Sequence, residues 1–190
     1  TAYPDFNGIH DLPLHEMILV VDDSHGIGIM GKHGGGAYQK IKKMNPKELL
    51  VCCSLGKGFG IQAGAVFGTT TRIDQLTNTG FFGGASPAAP AALATLTEGY
   101  PIYERQREKL KGNMALFLDK TLMSDQFHYI EKHPVFPFKN PGLANHLEQH
   151  GILITNFKYP TYKNMMNRIV IVANHTQEDL DKINDLDNKI

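Results

Sequence analysis

Three places in the sequence put chemically active side chains where an apolar run ends or begins. Asp22 lies at the end of the run "MILVVD", and His25 follows three residues later. Ser54 ends a second apolar run, and Lys57 stands three residues beyond it, between two glycines. Arg168 opens the last apolar run of the chain. Because ligands of open α/β sheets bind outside the carboxyl ends of the strands, these residues are candidates for one site.

Each of these side-chain types has a definite chemical capacity. A lysine amine in a partly desolvated turn loses its proton readily, and the neutral amine attacks a carbonyl to form a Schiff base. A carboxylate at a strand end can hold a proton on a heteroaromatic nitrogen, and a histidine can pack on a planar ring. An arginine grips a substrate carboxylate with two donors. A cofactor that needs both a lysine imine and an acidic partner for its ring nitrogen is pyridoxal phosphate (PLP).

Strand-like and helix-like segments alternate along the chain, which indicates an α/β fold. The predicted strands span 15–23, 48–54, 64–69, 128–139, 152–155 and 168–174. The predicted helical segments span 37–44, 71–78, 87–120, 140–151 and 176–190. Pro101 lies inside the longest of them, so we expect a break near Gly99. The glycine-rich stretch 24–36 is expected to form a loop, and 81–87 a turn.

Composition and charge exclude several partners. Lys and Arg together number 19, as do Asp and Glu, so no basic face for nucleic acid is expected. Apolar runs stay well below the roughly 20 residues needed to span a bilayer, so no membrane partner is expected. Cys52 and Cys53 are neighbours in a predicted strand and face opposite sides of it, which argues against a disulfide between them and fits a reducing cytoplasm.

Other motifs are weaker. The stretch 26–31 has the Gly-x-Gly-x-x-Gly spacing of a dinucleotide fingerprint, but a helix does not clearly follow it. Lys57 is followed by glycine rather than by the Ser or Thr of a phosphate-binding P-loop. His146 and His150 are four residues apart on a predicted helix without the glutamate of a zinc protease motif, so no metal site is expected.

Three stretches, taken in order, resemble motifs of the α-oxoamine synthases, a family of PLP-dependent enzymes of the class II aminotransferase type. "VDDSHGIGIMGKHGGG" resembles the family's Asp-Asp-Ala/Ser-His-Gly stretch, and "SLGKGFG" resembles its cofactor-lysine stretch. "NFKYP" followed by "NRIVIVANHTQEDLDK" resembles its C-terminal segment. The resemblance covers nearly the whole chain.

The resemblance implies a role for each matched residue. Asp22 matches the acid that pairs with the pyridinium nitrogen, and His25 matches a histidine at the ring hydroxyl. Lys57 matches the Schiff-base lysine, which also shuttles protons at the substrate α-carbon. Ser54 matches a hydroxyl that binds the cofactor phosphate, and Ser86 is the candidate to reach the phosphate of a neighbouring subunit.

The resemblance also implies a fold and a reaction. Arg168 aligns with the arginine that binds the carboxylate of the amino acid substrate. The implied reaction is the decarboxylative condensation of an amino acid with an acyl-CoA by a homodimer. The implied fold is the C-terminal part of a fold type I PLP-dependent transferase. Residues 1–123 would belong to the mostly parallel sheet of the large cofactor domain, and 124–190 would form a small α+β domain.

Alternatives stay open at this point. Within the family, a biotin-pathway member that uses alanine is favoured, and a ligase that uses glycine remains possible. A PLP-dependent transaminase of the same fold is a further possibility, and a non-catalytic, dimerising module is another. The upstream phosphate loop and ring-stacking residue of the family have no counterpart before Tyr3. We therefore expect a C-terminal fragment of a longer enzyme that is inactive by itself.

Overall fold

The computed structural model describes residues 4–120, 127–158, 160 and 165–187. Contacts between Cα atoms divide the chain into two compact units. The N-terminal unit is Asp5–Glu104, and the C-terminal unit is Arg105–Ile190 with Pro4. The domain boundary predicted between 123 and 124 lies outside the described residues and stays a prediction.

The N-terminal unit is built on a three-stranded sheet with short helices. Its strands are β1 (Ile18–Asp22), β2 (Glu48–Ser54) and β3 (Gly64–Phe67), in the order β1-β2-β3. Its helices are α1 (Tyr38–Lys42), α2 (Leu55–Gly58), α3 (Thr70–Thr77), α4 (Gly80–Gly83) and α5 (Pro90–Glu98), and α6 (Tyr100–Lys120) begins in this unit. Strand β1 runs parallel to β2, whereas β3 is antiparallel to it.

One face of this sheet is packed and the other is open. Val21 and Val51 face one side and pack with Ala37 and Ile41 of the α1 region. Residues at alternate positions face the opposite side, where the side chain of Val20 is 63% exposed. The apolar runs therefore predicted the strands correctly, but the second face is buried only in part, since Leu50 is 9% exposed while its neighbour Val20 is largely exposed.

Two further contacts fix helices of this unit, one to the sheet and one to the segment after α2. Arg72 of α3 donates two hydrogen bonds to the carboxylate of Glu48 at the start of β2, at 2.7 and 2.6 Å. The hydroxyl of Tyr103 in α6 donates to the carbonyl oxygen of Phe59 at 3.2 Å, and the two rings pack edge to face. The second contact supports the segment that follows α2.

The C-terminal unit pairs its own three strands antiparallel around one large apolar core. The strands are β4 (Val135–Phe138), β5 (Thr155–Phe157) and β6 (Met166–Val170), in the order β4-β6-β5. Its helices are the rest of α6, α7 (Pro141–Gln149) and α8 (Gln177–Asp187). The core contains several side chains with no exposed area, namely Phe117, Phe136, Leu143, Leu147 and Leu180.

Helix α8 begins with a reciprocal cap. The Asp179 amide donates to the Thr176 hydroxyl at 3.2 Å, and the Thr176 amide donates to the Asp179 carboxylate at 2.8 Å. This pattern satisfies two amides that a helix start leaves unpaired. The hydrogen bonds from Thr176 also lower the pKa of Asp179.

Most predicted elements are confirmed, with differences at the 81–87 stretch, β4 and β5. The break near Gly99 is confirmed, since α5 ends at Glu98 and α6 begins at Tyr100. The stretch 81–87 is not only a turn, because Thr79 caps the short helix α4 by accepting from the Phe82 amide. Strand β4 is shorter than predicted, and β5 begins where the predicted strand 152–155 ends. Within the described ranges, every helix is too short or too polar to span a lipid bilayer.

Candidate active site

The parallel pairing of β1 and β2 brings two of the predicted site residues together. Asp22 lies beside Cys52 in the register, two residues before Ser54. The amide of Asp23 donates to the carbonyl of Cys52 at 2.9 Å, which continues the pairing one residue past β1. Both carboxyl ends therefore leave the sheet side by side, as the sequence predicted.

Asp22 is an exposed carboxylate that the surrounding groups keep ionised. Hydrogen bonds from the Ser24 hydroxyl and amide lower its pKa most, and the amide contact is 2.8 Å. Burial raises the same pKa by less than these hydrogen bonds lower it, and the nearby charges of Lys57 and His25 lower it a little further. A carboxylate that stays charged at neutral pH is the group needed to hold a proton on a ring nitrogen.

The turn after β2 places Lys57 within electrostatic reach of this carboxylate. Ser54 caps α2 by accepting a hydrogen bond from the Gly56 amide at 3.3 Å. Gly58, at the end of α2, lies very close to the loop after β1. A Cβ added at Gly58 would stand 2.1 Å from the carbonyl oxygen of Ile27. Only glycine allows this approach of two backbones. The glycine that follows Lys57 thus fixes the lysine turn against the loop that carries His25.

A buried acid closes the loop between residues 24 and 36. The Asp23 side chain is 1% exposed, and its carboxylate accepts a hydrogen bond from the Ala37 amide at 2.7 Å. At Gly36, whose φ is +68°, an added Cβ would lie 2.0 Å from the same carboxylate. Asp23 therefore joins the start of the loop that carries His25 to its end.

A cavity of about 640 Å³ opens at this end of the sheet. Asp22, Ser24 and Ser54 line it, together with Cys52 and Phe82. Its volume is within the range of small-molecule sites, about 300–1,000 Å³. Lys57 and His25 do not line it. Lys57 is exposed rather than partly desolvated, because it projects from a one-turn helix beyond the strand.

The other two predicted residues lie elsewhere. Ser86 is exposed in the segment between α4 and α5 and does not line the cavity. Arg168 belongs to the C-terminal unit and lies in the middle of β6, not at its start as predicted. Its Nε atom is buried and has no hydrogen-bond partner among the described residues.

The two cysteines are free thiols. Cys53 is buried, and this burial raises the pKa of its thiol, so it behaves as an apolar core residue. Cys52 is half-buried and lines the cavity. In the described part of the chain, His, Cys, Asp and Glu do not gather into a cluster of three or more that could hold a metal ion.

Sequence reasoning missed the residues that hold the site in place. Ser24, Asp23 and Gly58 were not predicted as site residues, yet each fixes a backbone segment next to Asp22 or Lys57. The available signal was position alone, since all three are neighbours of the chemically active residues. Their partners are backbone atoms from distant parts of the chain, which a sequence does not reveal.

Comparison with known proteins identifies the family. Residues 4–185 match the family model of the aminotransferases of class I and II. The chain belongs to this family. The membership predicted from the three motifs is thus confirmed for the wider aminotransferase class I and II family.

Named relatives and solved structures agree with this assignment. The chain is 32% identical over 173 residues to the 8-amino-7-oxononanoate synthase of Vibrio parahaemolyticus, covering 84% of this chain and 44% of the relative. It is 29% identical over 184 residues to that of Pectobacterium atrosepticum, covering 89% and 46%. The chain therefore spans less than half the length of these relatives.

Two solved structures share the fold. The 8-amino-7-oxononanoate synthase of Francisella tularensis superimposes with a TM-score of 0.69 at 24% identity, covering 90% of this chain and 54% of that one. A serine palmitoyltransferase from S. paucimobilis with bound PLP gives a TM-score of 0.71 at 17% identity, covering 90% and 46%. The prediction that this chain is part of a fold type I PLP-dependent transferase is confirmed.

The enzymes of this family use PLP, and the residues present here fit it. Asp22 offers an ionised carboxylate for the ring nitrogen, and Lys57 offers an exposed amine close to it. The Ser54 hydroxyl accepts from a backbone amide, so its own proton remains available for a phosphate oxygen. The cavity beside Asp22 is large enough for a cofactor of this size.

Proposed function

We propose that the whole protein is a PLP-dependent acyltransferase that condenses an amino acid with an acyl-CoA and releases carbon dioxide and CoA. The observation that carries this proposal is the meeting of Asp22, Ser54 and Lys57 at the carboxyl ends of β1 and β2. Relatives named 8-amino-7-oxononanoate synthase support it over most of the chain. A homologous reaction in the biotin pathway is therefore the favoured form of the activity.

The residues around the cofactor position have separate tasks. Asp22 holds a proton on the ring nitrogen, and His25 contacts the ring hydroxyl. Ser54 donates to the phosphate. PLP, when bound, supplies a positively charged ring that draws electrons away from the substrate α-carbon. The carboxylate of Asp22 sustains that charge because its own pKa is lowered.

Lys57 has two tasks. Its Nζ atom would hold the cofactor through the aldehyde group, and the same amine would move a proton at the substrate α-carbon. The close approach of Gly58 to the Ile27 carbonyl holds the backbone of the turn that carries this amine. A longer side chain at position 58 would displace the lysine from the ring position.

Arg168 binds the carboxylate of the amino acid substrate. Its Nε atom is buried without a described partner, so a substrate oxygen would satisfy a donor that is otherwise unpaired. A charged guanidinium paired with a carboxylate gives both affinity and orientation.

Assembly and location are part of the same proposal. The protein acts as a homodimer, and Ser86 reaches the phosphate bound to the partner subunit. Large apolar side chains exposed on α4, α5 and α6 support an interface there, namely Phe81, Phe82, Leu93 and Ile102. The two free thiols fit a reducing cytoplasm.

Turnover by the whole protein tests this function. We expect release of CoA from a pimeloyl thioester in the presence of alanine, and loss of that release in Lys57→Ala. Release with glycine and a short acyl-CoA instead would make the protein a 2-amino-3-ketobutyrate ligase. Amino transfer without release of CoA would make it a transaminase and overturn the acyltransferase proposal.

A further inference from the structure

We propose that Ser24 is a positioning residue of this site, which fixes the Asp22 carboxylate relative to the Lys57 turn by bonding to both. Its importance for cofactor chemistry rests on the function proposed above. The contact itself is a property of this chain and is open to measurement without the cofactor.

Ser24 links the two strand ends through its amide and its hydroxyl. Its amide donates to the Asp22 carboxylate at 2.8 Å, and its hydroxyl lies near enough to the same carboxylate to lower its pKa. The oxygen of that hydroxyl accepts a hydrogen bond from the Ser54 amide at 2.8 Å. The side chain is 7% exposed, so water competes little for these bonds.

The bond from Ser54 gives the hydroxyl a direction. A free serine hydroxyl rotates to suit its surroundings. Here the oxygen accepts from a fixed backbone amide, which leaves the hydroxyl proton to point at the Asp22 carboxylate. Hydrogen bonds in such a chain also strengthen one another in a buried setting.

This arrangement links the acid to the lysine. Ser54 is the last residue of β2 and the cap of α2, which carries Lys57. A movement of the Lys57 turn would break the bond to Ser24 and release the carboxylate of Asp22. The spacing between the two groups that hold the cofactor ring is therefore set through one buried side chain.

Several groups change the pKa of Asp22, and Ser24 has the largest effect on it. Its hydroxyl and amide lower the pKa most, burial raises it, and the charges of Lys57 and His25 lower it further. In Ser24→Ala the amide and both charges remain, while the hydroxyl is lost. The pKa of Asp22 should then rise toward its ordinary value, and the Ser54 amide should lose its partner.

Carbon-detected NMR of the cofactor-free chain tests the contact directly. The Asp22 carboxyl signal, assigned with Asp22→Asn, is titrated in the wild type, Ser24→Ala and Ser24→Thr, and amide exchange is followed at Ser54. We expect a raised Asp22 pKa and faster Ser54 exchange in Ser24→Ala, and near wild-type values in Ser24→Thr. Thr69→Ala, which removes a hydroxyl beyond the opposite end of β3, should change neither.

An unchanged Asp22 titration in a folded Ser24→Ala protein would overturn the proposal. Should that variant fail to fold, Ser24→Cys keeps the volume with a weaker donor, and the same comparison decides. Addition of PLP to the whole protein separates this inference from the proposed function. A raised Asp22 pKa in Ser24→Ala, together with a whole protein that does not attach PLP to Lys57, would leave the contact standing and reject the function. Attachment to Lys57 with an unchanged titration would reject only the role of Ser24.

Discussion

The two units of this chain are stabilised by different means. In the C-terminal unit a single apolar cluster contains five side chains without exposed area, whereas Ile41 is the only described hydrophobic residue of the N-terminal unit buried to that degree. The N-terminal unit instead leaves one sheet face open, where Ile18, Val20 and Val66 are about half exposed.

The unit with the smaller cores is the one that carries the candidate active site. Its site loops are fixed by polar and backbone contacts together with a small apolar cluster that includes Ile27, Leu55 and Ile61. Ser24 joins the two strand ends, Asp23 closes the loop, and Gly58 locks the lysine turn. We infer that substitutions in the C-terminal core will mainly lower stability, whereas substitutions at the contacts of the N-terminal unit will also disturb the candidate active site.

The largest expected effect is in the C-terminal core. Phe136 has no exposed area and packs against Phe117 at 4.8 Å between ring centroids. Phe136→Ala should lower the free energy of unfolding by about 3–5 kcal/mol, since it removes transfer energy and leaves a cavity. The matched control is Phe81→Ala, whose ring is 94% exposed and whose loss should cost less than about 0.5 kcal/mol. Equal costs in urea unfolding would contradict the contrast between buried and exposed positions.

A methyl group at Gly58 should have the next largest effect, and it should reach the site. The Cβ of Gly58→Ala would meet the Ile27 carbonyl at 2.1 Å, so the lysine turn must shift. We expect a loss of about 1–3 kcal/mol of stability together with weakened attachment of PLP to Lys57. The control is Gly112→Ala in α6, where an added Cβ has no atom within 4 Å. It should stabilise the chain by up to about 1 kcal/mol, because alanine has a higher helix propensity than glycine. Normal PLP attachment in Gly58→Ala would show that the close backbone approach does not position the lysine.

Two neighbouring valines of β1 sharpen the comparison within the N-terminal unit. Val21 is 9% exposed and belongs to the α1 cluster, whereas Val20 is 63% exposed on the open face. Val21→Ala should cost about 1–2 kcal/mol, and Val20→Ala less than about 0.5 kcal/mol. Thermal unfolding of both variants measures the difference. A larger loss from Val20→Ala would mean that the open face is covered in solution.

The smallest effect is expected from the ion pair of α3 with β2. The hydrogen bonds from Arg72 lower the pKa of Glu48 below its ordinary value of 4.5. A lowered folded-state pKa contributes stability above the unfolded-state pKa and loses it as pH falls through the folded-state value. The stability difference between the wild type and Glu48→Gln should therefore be largest near neutral pH and shrink below about pH 4.5. A difference that stays constant from pH 7 to pH 3 would show that the pair contributes no pH-dependent stability.

The sequence predicted the elements and the chemically active residues better than the contacts between them. Strand 48–54 and the break near Gly99 agree with the structure because apolar runs and proline act locally. Helix α4 was missed because its cap, Thr79, lies just outside the stretch predicted as a turn. The exposure of Lys57 and the role of Ser24 depend on contacts between segments about 30 residues apart, which no local pattern contains.

The most direct test of the account is to locate covalently attached PLP on this chain. The protein is incubated with PLP, reduced with borohydride and mapped by mass spectrometry, beside Asp22→Asn and Lys57→Ala. We predict that the reduced adduct is found mainly on Lys57 and that its amount falls in Asp22→Asn, because the ring nitrogen then loses its anionic partner. An adduct spread over other lysines at the same level, or one on Lys57 that does not depend on Asp22, would contradict the assignment of this site.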